Sequence, residues 1–307
     1  MSNSIQKYGI YTEYSLAIQE CLKYLNDKKR INEHKLFTVS VLTDIIDSYS
    51  IEYVLKPFFK DNIYRINNTM LSLNPNAVDF LYNFPDKIHY RMLSINPNAI
   101  ALLRLNPAVI DWYTLSENPN AIEIIKENLD KIEWFNFSKN ANGIELLREN
   151  LGKINWMMLS LNPNATELLR ENKGKIDWDL LSKNPGAINL LTENPDDINW
   201  FMLSQNPSAI DLITQNKSKI DWDLLSRNPN AIKLLRENTN KINWDSLSKN
   251  PSAISILREN PDKIVWDSLS SNSGAIDLLI EYKHKIDWRM IWKNPSIFTI
   301  NRFNDYL

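Results

Sequence analysis

Glycine and cysteine are both scarce in this chain. Only six of its 307 residues are glycine and one is cysteine, whereas globular proteins usually contain ~7% glycine. Neither G-x-G-x-x-G nor G-x-x-x-x-G-K-[ST] occurs, which leaves little material for a glycine-rich phosphate-binding loop. Cys21 has no partner for an internal disulfide.

Long hydrophobic runs and an excess of one charge are also missing. No stretch approaches the ~18 consecutive apolar residues of a membrane-spanning helix, and the N-terminus MSNSIQKYGIYTEYS lacks the apolar segment of a signal peptide. The 35 basic and 37 acidic residues give a net charge of -2, far from the basic excess of a dedicated nucleic-acid-binding protein. We therefore expect an intracellular protein with no membrane segment.

Recognisable catalytic and metal-binding motifs are absent as well. His34, His89 and His284 lie far apart in the sequence, and C-x-x-C, H-E-x-x-H and G-x-S-x-G do not occur. The carboxylates recur as columns of a repeat rather than as one special pair. We expect no enzymatic activity, no metal site and no cofactor.

What the sequence does contain is a 22-residue repeat, which reads N-P-N-A-I-x-L-L-[RK]-E-N-x-x-K-I-[DN]-W-x-x-L-S-x. We number its positions 1–22 from the opening asparagine. The asparagines are Asn74, Asn96, Asn118, Asn140, Asn162, Asn184, Asn206, Asn228, Asn250, Asn272 and Asn294. Position 17 holds Tyr90 and then nine tryptophans: Trp112, Trp134, Trp156, Trp178, Trp200, Trp222, Trp244, Trp266 and Trp288. A fixed period of this kind indicates stacked repeats.

Each unit is predicted to form two short helices. In the unit that opens at Asn162, this residue suits a helix N-cap before a proline, and Asn172 suits a left-handed turn at the end of the helix. Asp177 is a second N-cap, and Trp178 and Leu181 supply the buried face of the second helix. Helices of about ten and six residues are too short to be stable alone, so stacking between units must stabilise them.

The pattern predicts an all-α fold, a right-handed α-solenoid of 22-residue two-helix repeats with helical N- and C-terminal caps. We expect residues 1–60 to form a helical N-terminal cap or a separate recruiting subdomain. Ten to eleven repeats then cover residues 61–295, and residues 296–307 form the C-terminal cap. A leucine-rich repeat has a similar period but requires an L-x-L strand, where this chain has helical spacing and a proline.

The recurring columns have structural interpretations. The tryptophan column is expected to be repeat core, with indole N–H groups bonded to neighbouring carbonyls, and the asparagine column to be a ladder of caps. Glutamate and arginine three residues apart, as at Glu145 and Arg148, are expected to pair on a solvated face. The lysine column suits the carbonyl end of each first helix, and a basic stripe for nucleic-acid phosphates is the alternative. These lysines are Lys87, Lys131, Lys153, Lys175, Lys219, Lys241, Lys263 and Lys285.

Binding residues are sought where the repeat lets residues vary. Position 18 is apolar or basic in the first half of the array and aspartate in much of the second half, and position 22 carries many cations. Exposed aromatic residues at position 18 resemble interface anchors, and packing of these rings under a neighbouring helix is the alternative. The predicted partner-binding residues are Arg91, Tyr113, Phe135, Met157, Phe201, Lys139, Lys183, Arg227 and Lys249. The contrasting aspartates are Asp179, Asp223, Asp245 and Asp267.

The unit N-P-N-A-I…E-N…K-I-[DN]-W-x-x-L-S resembles tandem repeats in uncharacterised proteins of large nucleocytoplasmic DNA viruses of protists. The resemblance covers residues 67–300 and implies a viral protein that acts inside the host cell, in the host cytoplasm or in the virion, on host or viral macromolecules. It brings no catalytic residues. We expect a non-enzymatic scaffold or adaptor that binds a protein partner along the solenoid. The alternatives are a nucleic-acid-binding repeat protein and a structural virion component.

Overall fold

Nine of the 22-residue units fold as two short α-helices joined by 3-10 turns, and the unit that opens at Asn272 has a 3-10 helix (Ile291–Lys293) as its second helix. The chain is therefore the all-α repeat solenoid that the sequence predicts. A computed structural model describes residues 51–302, of which residues 52–301 form one compact unit. Residues 1–50 and 303–307 lie outside the described residues, and most of the predicted N-terminal cap and part of the C-terminal cap lie there with them.

The helices are shorter than the sequence suggests, because 3-10 turns occupy the start of many helical segments. Strands β1 (Ile51–Leu55) and β2 (Phe298–Arg302) pair with each other, and α1 spans Pro57–Lys60. The first helices of the units are α3 (Val78–Asn83), α5 (Ile100–Arg104), α7 (Ile122–Lys126), α9 (Ile144–Glu149), α11 (Thr166–Arg170), α13 (Ile188–Thr192), α15 (Ile210–Gln215), α17 (Ile232–Glu237), α19 (Ile254–Glu259) and α21 (Ile276–Glu281). The second helices are α2 (Asn68–Ser72), α4 (Tyr90–Ile95), α6 (Trp112–Leu115), α8 (Trp134–Phe137), α10 (Trp156–Leu159), α12 (Trp178–Lys183), α14 (Trp200–Leu203), α16 (Trp222–Leu225), α18 (Trp244–Ser248) and α20 (Trp266–Ser270).

The asparagine at position 1 is buried in all eleven units and has every side-chain hydrogen bond satisfied. Asn206 accepts the backbone N–H of Ser208 at 3.0 Å, and its amide donates to the carbonyls of Ser182 and Asn184 at 3.0 and 2.8 Å. The expected N-cap of an α-helix is therefore wrong in detail, since this asparagine caps a 3-10 turn and the first helix begins four residues later. Its amide links each unit to the one before.

Seven of the ten second helices begin as predicted, at an aspartate or asparagine N-cap. Asp177 accepts the backbone N–H of Leu180 at 2.9 Å, and its own N–H donates to the Ser160 hydroxyl of the preceding unit at 3.0 Å. The left-handed turn expected at Asn172 is wrong, because no non-glycine residue among the described residues has a positive φ. Asn172 instead donates its amide to the Leu168 carbonyl at 2.9 Å and so caps the first helix.

The core consists of aliphatic columns from both helices. Leu181 of the second helix and Ala187 and Leu191 near the first are fully buried, and their counterparts recur around the array. One exchange shows how tightly the columns pack: Phe137 replaces the usual leucine, and Gly143 replaces the usual alanine. A Cβ at Gly143 would lie only 2.7 Å from the Phe137 ring, so the larger side chain requires the smaller one.

The solenoid closes on itself. The amide of Asn74 donates to the carbonyls of Trp292 and Asn294 at 3.0 and 2.9 Å. These are the same two bonds that Asn96 makes to Ser72 and Asn74, at 3.0 and 2.9 Å. The eleven asparagines therefore form a cyclic ladder, and the repeat array is a closed ring of eleven units. This closure is not among the sequence predictions.

The eleventh unit is built from both ends of the described chain. We call residues 51–73 and 294–302 the split unit and residues 74–293 the continuous units. Lys56 N–H donates to the Ile297 carbonyl at 2.9 Å; since β1 ends before this bond and β2 begins after it, the two strands are antiparallel. They occupy the place of a first helix. Residues 51–60 and 296–302, assigned in the sequence analysis to the caps, thus form part of the ring.

Trp292, which replaces the serine at position 21, is part of the same closure. Its ring is fully buried, and its indole N–H donates to the Arg65 carbonyl at 2.8 Å. The Arg65 guanidinium lies 4.9 Å from the centre of the Trp288 ring. The departures from the repeat near residue 292 are therefore contacts that join the last continuous unit to the split unit.

Candidate interaction surface

Position 18 presents large apolar side chains to solvent on several second helices. It is the second residue of the helix, so its side chain points away from the half-buried ring at position 17. The exposed fractions are 47% for Tyr113, 42% for Phe135, 43% for Met157 and 52% for Phe201. Tyr113, Phe135 and Met157 belong to consecutive units, and we call these three the apolar arc. None of its side chains packs in the core, which disfavours the alternative that they are covered by a neighbouring helix.

The aspartates at position 18 have a structural role besides any effect on the helix dipole. Asp179 accepts the side-chain amide of Asn199 at 2.7 Å, and Asp223 accepts that of Asn243 at 3.0 Å. In both cases the partner is position 16 of the next unit. This contact requires a donor at position 16. An acidic residue there repels an aspartate at position 18 unless a cation lies against both, as Arg289 does for Asp267 and Asp287.

The same rule accounts for part of the apolar arc. Tyr113 is followed at position 16 of the next unit by Glu133, and Met157 is followed by Asp177; an aspartate in either place would face a carboxylate. Phe135 does not fit this explanation. Its neighbour at position 16 is Asn155, which would suit an aspartate, yet the exposed residue is a phenylalanine.

The predicted cations differ in their surroundings. Lys139 forms an ion pair with Glu117 of the preceding unit, and Lys249 pairs with Asp245 at 2.7 Å within its own helix. The bonds from Lys249 and from the Ser268 hydroxyl lower the pKa of Asp245 below its ordinary value. Arg91, Lys183 and Arg227 are exposed. The structure thus does not gather the predicted residues into one cluster; it distributes them along the second helices.

The tryptophan column lies at the edge of the core rather than inside it. These rings are half-buried and pack against the buried aliphatic residues. The predicted bonds from their indole N–H groups to carbonyls are wrong, since among the described tryptophans only Trp292, outside the column, has such a bond. A half-buried ring keeps one edge or face in contact with water, so it needs no protein acceptor.

Six of the eight lysines in the column follow the first helix as expected and place their ammonium groups over these rings. Lys175, for example, places its ammonium 4.4 Å from the centre of the Trp156 ring of the preceding unit. The same contact recurs at 4.4–4.8 Å for Lys131, Lys153, Lys219, Lys241 and Lys263. Such cation–π contacts stabilise each junction between units.

Ion pairs also run mainly between units. Arg148 forms two hydrogen bonds to Glu171 of the next unit, at 2.8 and 3.0 Å, rather than the expected pair with Glu145. Two of the expected i,i+3 contacts do occur, between Glu123 and Lys126 at 3.6 Å and between Glu167 and Arg170 at 3.7 Å. The other pairs between units are Arg104–Glu127, Arg170–Glu193, Arg236–Glu259 and Arg258–Glu281.

One departure from the repeat escaped the sequence analysis. Position 17 of the split unit is Asn68, where the other ten units have tryptophan or Tyr90. Asn68 lies 22 residues before Tyr90 and could have been found from the period alone. The residues before Asn74 match the repeat too poorly to be recognised as a further unit. A cavity of about 350 Å³ lies beside Asn68.

Residues 51–302 contain no group of three or more His, Cys, Asp and Glu side chains placed to hold a metal ion. His89 takes the N-cap position of α4, where it accepts the N–H of Met92 at 3.4 Å, and His284 is exposed. No helix in this part of the chain is both long and apolar enough to span a membrane. Comparison with protein-family models, with curated proteins and with solved structures gives no match to this chain.

Proposed function

We propose that the protein is a non-enzymatic repeat scaffold that binds a protein partner through the second helices of its ring. The exposed ring of Phe135 carries this proposal, because neither packing nor the pairing rule for position 18 accounts for a phenylalanine there. Tyr113 and Met157 occupy the same position in the units on either side, so three consecutive units each expose a large apolar side chain. Exposed apolar patches with aromatic residues are characteristic of protein interfaces.

The surroundings of the apolar arc suit a protein partner. Cations flank it at Arg91 and Lys183, both exposed, so the partner would present apolar side chains with acidic residues around them. The asparagine, serine and arginine columns already have hydrogen-bond or ion-pair partners within the ring of repeats. Position 18, by contrast, varies from unit to unit while the fold of the units stays the same, so it can carry binding specificity. The resemblance to viral repeats supports extending this proposal to an activity inside an infected host cell.

The pairing rule offers a variant that removes the apolar arc without disturbing the fold. We expect Phe135→Asp to accept the Asn155 amide, as Asp179 accepts that of Asn199. Asp223→Asn is the matched control, since it changes charge at the same position in another unit. Thermal melting of both variants should match that of the unmodified protein, which separates loss of binding from loss of structure.

The binding test is a quantitative pull-down from host-cell extract with the intact protein, Phe135→Asp and Asp223→Asn. We expect a protein captured by the intact chain to be depleted at least tenfold with Phe135→Asp and retained with Asp223→Asn. Equal capture by all three proteins would remove the apolar arc as the binding surface.

Nucleic acid is the less favoured partner, because the lysine column lies over tryptophan rings whose faces stacking would require. Fluorescence anisotropy with labelled RNA and DNA between 25 and 200 mM salt would test it. Binding that falls steeply with salt would favour phosphate contacts over the protein scaffold, whereas no binding at low salt would eliminate nucleic acid.

A further inference from the structure

Among residues 51–302, one unit of the solenoid lacks an aromatic residue at position 17. Second helix α2 begins with Asn68, whereas the corresponding residue is Tyr90 in α4 and a tryptophan in the nine later units. The backbone around this position keeps the repeat geometry: Asn67 caps the helix by accepting the N–H of Met70 at 3.3 Å, as Asp111 does for Thr114 at 2.9 Å. Only the ring is missing.

The space beside Asn68 is a cavity of about 350 Å³ with largely apolar walls. Ile63 and Ile66 line it from the split unit, and Phe80 and Phe84 line it from the next unit. The two phenylalanine rings are stacked, with centres 4.5 Å apart, and form an aromatic wall. This volume lies within the range of small-molecule sites, roughly 300–1,000 Å³.

The cavity has a lysine, Lys87, at the repeat position from which other units place a cation over an aromatic ring. Lys87 lines the cavity and occupies position 14, the same place from which Lys175 reaches the Trp156 ring. With no ring in front of it, Lys87 pairs with its sequence neighbour Asp86 at 2.9 Å. Both are exposed, and a pair of this kind contributes little stability. The ammonium therefore remains available to a ring that enters the cavity.

We infer that this cavity binds a planar aromatic ring of indole size, free or carried on a peptide. The ring occupies the place of the missing tryptophan, packs against the wall of Phe80 and Phe84, and lies under the Lys87 ammonium. Nine units supply an indole at this position and a tenth supplies the phenol ring of Tyr90, so the repeat itself identifies the chemical group that the eleventh unit accepts. The site is independent of the apolar arc.

The decisive variant fills the cavity from within. Asn68→Trp restores the repeat, and we expect it to weaken binding of 5-fluoroindole at least tenfold in ¹⁹F NMR titrations of the full-length protein. Thr69→Phe is the control, because position 18 carries aromatic residues in other units and its ring lies outside the cavity. Undiminished binding to Asn68→Trp, or no binding to the unmodified protein, would overturn the inference.

A second pair of variants tests the cation. Lys87→Met keeps the aliphatic stem but removes the charge, and we expect about a two- to fivefold loss of affinity, the value of one exposed cation–π contact. Lys175→Met changes the same column five units away from the split unit and should leave the affinity unchanged. Equal affinity of Lys87→Met and the unmodified protein would show that the ammonium does not contact the ring.

Competition identifies the source of the ring. Displacement of 5-fluoroindole by N-acetyltryptophanamide at concentrations similar to those of free indole would indicate a tryptophan side chain on a peptide. Displacement by free indole alone would indicate a small molecule. Either result supports the site, and displacement by neither compound would contradict it.

Discussion

The continuous units and the split unit make the same ladder contacts with different chain connectivity. Asn96 reaches Asn74 across 22 residues, and Asn74 reaches Asn294 across 220, yet both bonds measure 2.9 Å. The residues between the ladder bonds differ: two strands take the place of a first helix, Trp292 takes the place of a serine, and Arg65 takes the place of a lysine. The ladder therefore sets the geometry of the ring, and the sequence around it adapts where the chain begins and ends.

This difference bears on how the ring assembles. Contacts within the continuous units join residues about one unit apart, so each unit can form on its neighbour at low entropic cost. The split unit requires the two ends of the array to meet, which costs more loop entropy. We infer that closure of the split unit is the last step of folding and that it makes the ring a single cooperative structure.

The largest predicted effect comes from removing one half of the split unit. Truncation after Lys293 deletes the buried Ile297 and Phe298 and the ladder residue Asn294, and we expect the free energy of unfolding to fall by at least about 5 kcal/mol. Urea denaturation should show a lower midpoint and a broader transition. Truncation after Arg302, which retains β2, is the control. An unchanged midpoint after Lys293 would mean that the ring is not closed in solution.

The next effect compares one ladder position in each region. Asn206→Ala and Asn74→Ala each remove two bonds to buried carbonyls, and we expect each to cost about 3 kcal/mol, because the carbonyls are left unpaired. The two losses are equal only if Asn74 is as enclosed as Asn206. A much smaller loss for Asn74→Ala in urea denaturation would indicate an open array.

Much of the fold could be predicted because the repeat states the same local rules many times. The 22-residue period, the two helices and the N-cap at Asp177 all follow from local spacing and capping chemistry. Helix lengths were overestimated, since the asparagine–proline pair reads as an α-helix start although its side chain closes a tighter turn. Local signals do not distinguish an α-helical first turn from a 3-10 turn when both place proline at the first position.

Closure and the contacts between units could not be predicted in this way. A repeat specifies how one unit joins the next, but the number of units that completes a circle depends on the small rotation at each junction. Arg148 has two possible carboxylate partners: Glu145, three residues earlier in the same helix, and Glu171 in the next unit. Only the packing of the helices determines that it pairs with Glu171. The site was predicted in part: Phe135 is exposed as expected. The cavity at Asn68 was not predicted, because its walls depend on how the segment 63–68 stacks on Phe80, Phe84 and Lys87 of the next unit.

A smaller effect tests the junction between two continuous units. Trp178 lacks a lysine over its ring, because Asp197 occupies position 14 of the next unit. We expect Asp197→Lys to stabilise the protein by about 0.5–1 kcal/mol through a new cation–π contact. Asp196→Lys makes the same charge change in the same turn and should not stabilise. Equal stabilisation by both variants would assign the gain to net charge alone.

The smallest effect concerns the exposed arginine–glutamate pairs of the continuous units. The hydrogen bonds from Arg148 lower the pKa of Glu171 below its ordinary value of 4.5, and Arg170 does the same for Glu193. Because the folded-state pKa is depressed, this stabilisation is complete above pH 4.5 and is lost as the pH falls through the lower folded value. We expect the melting temperature to decline over that acidic range, less steeply in Arg148→Gln and in high salt. Identical slopes for Arg148→Gln and the unmodified protein would show that the pair does not contribute to the pH dependence of the ring.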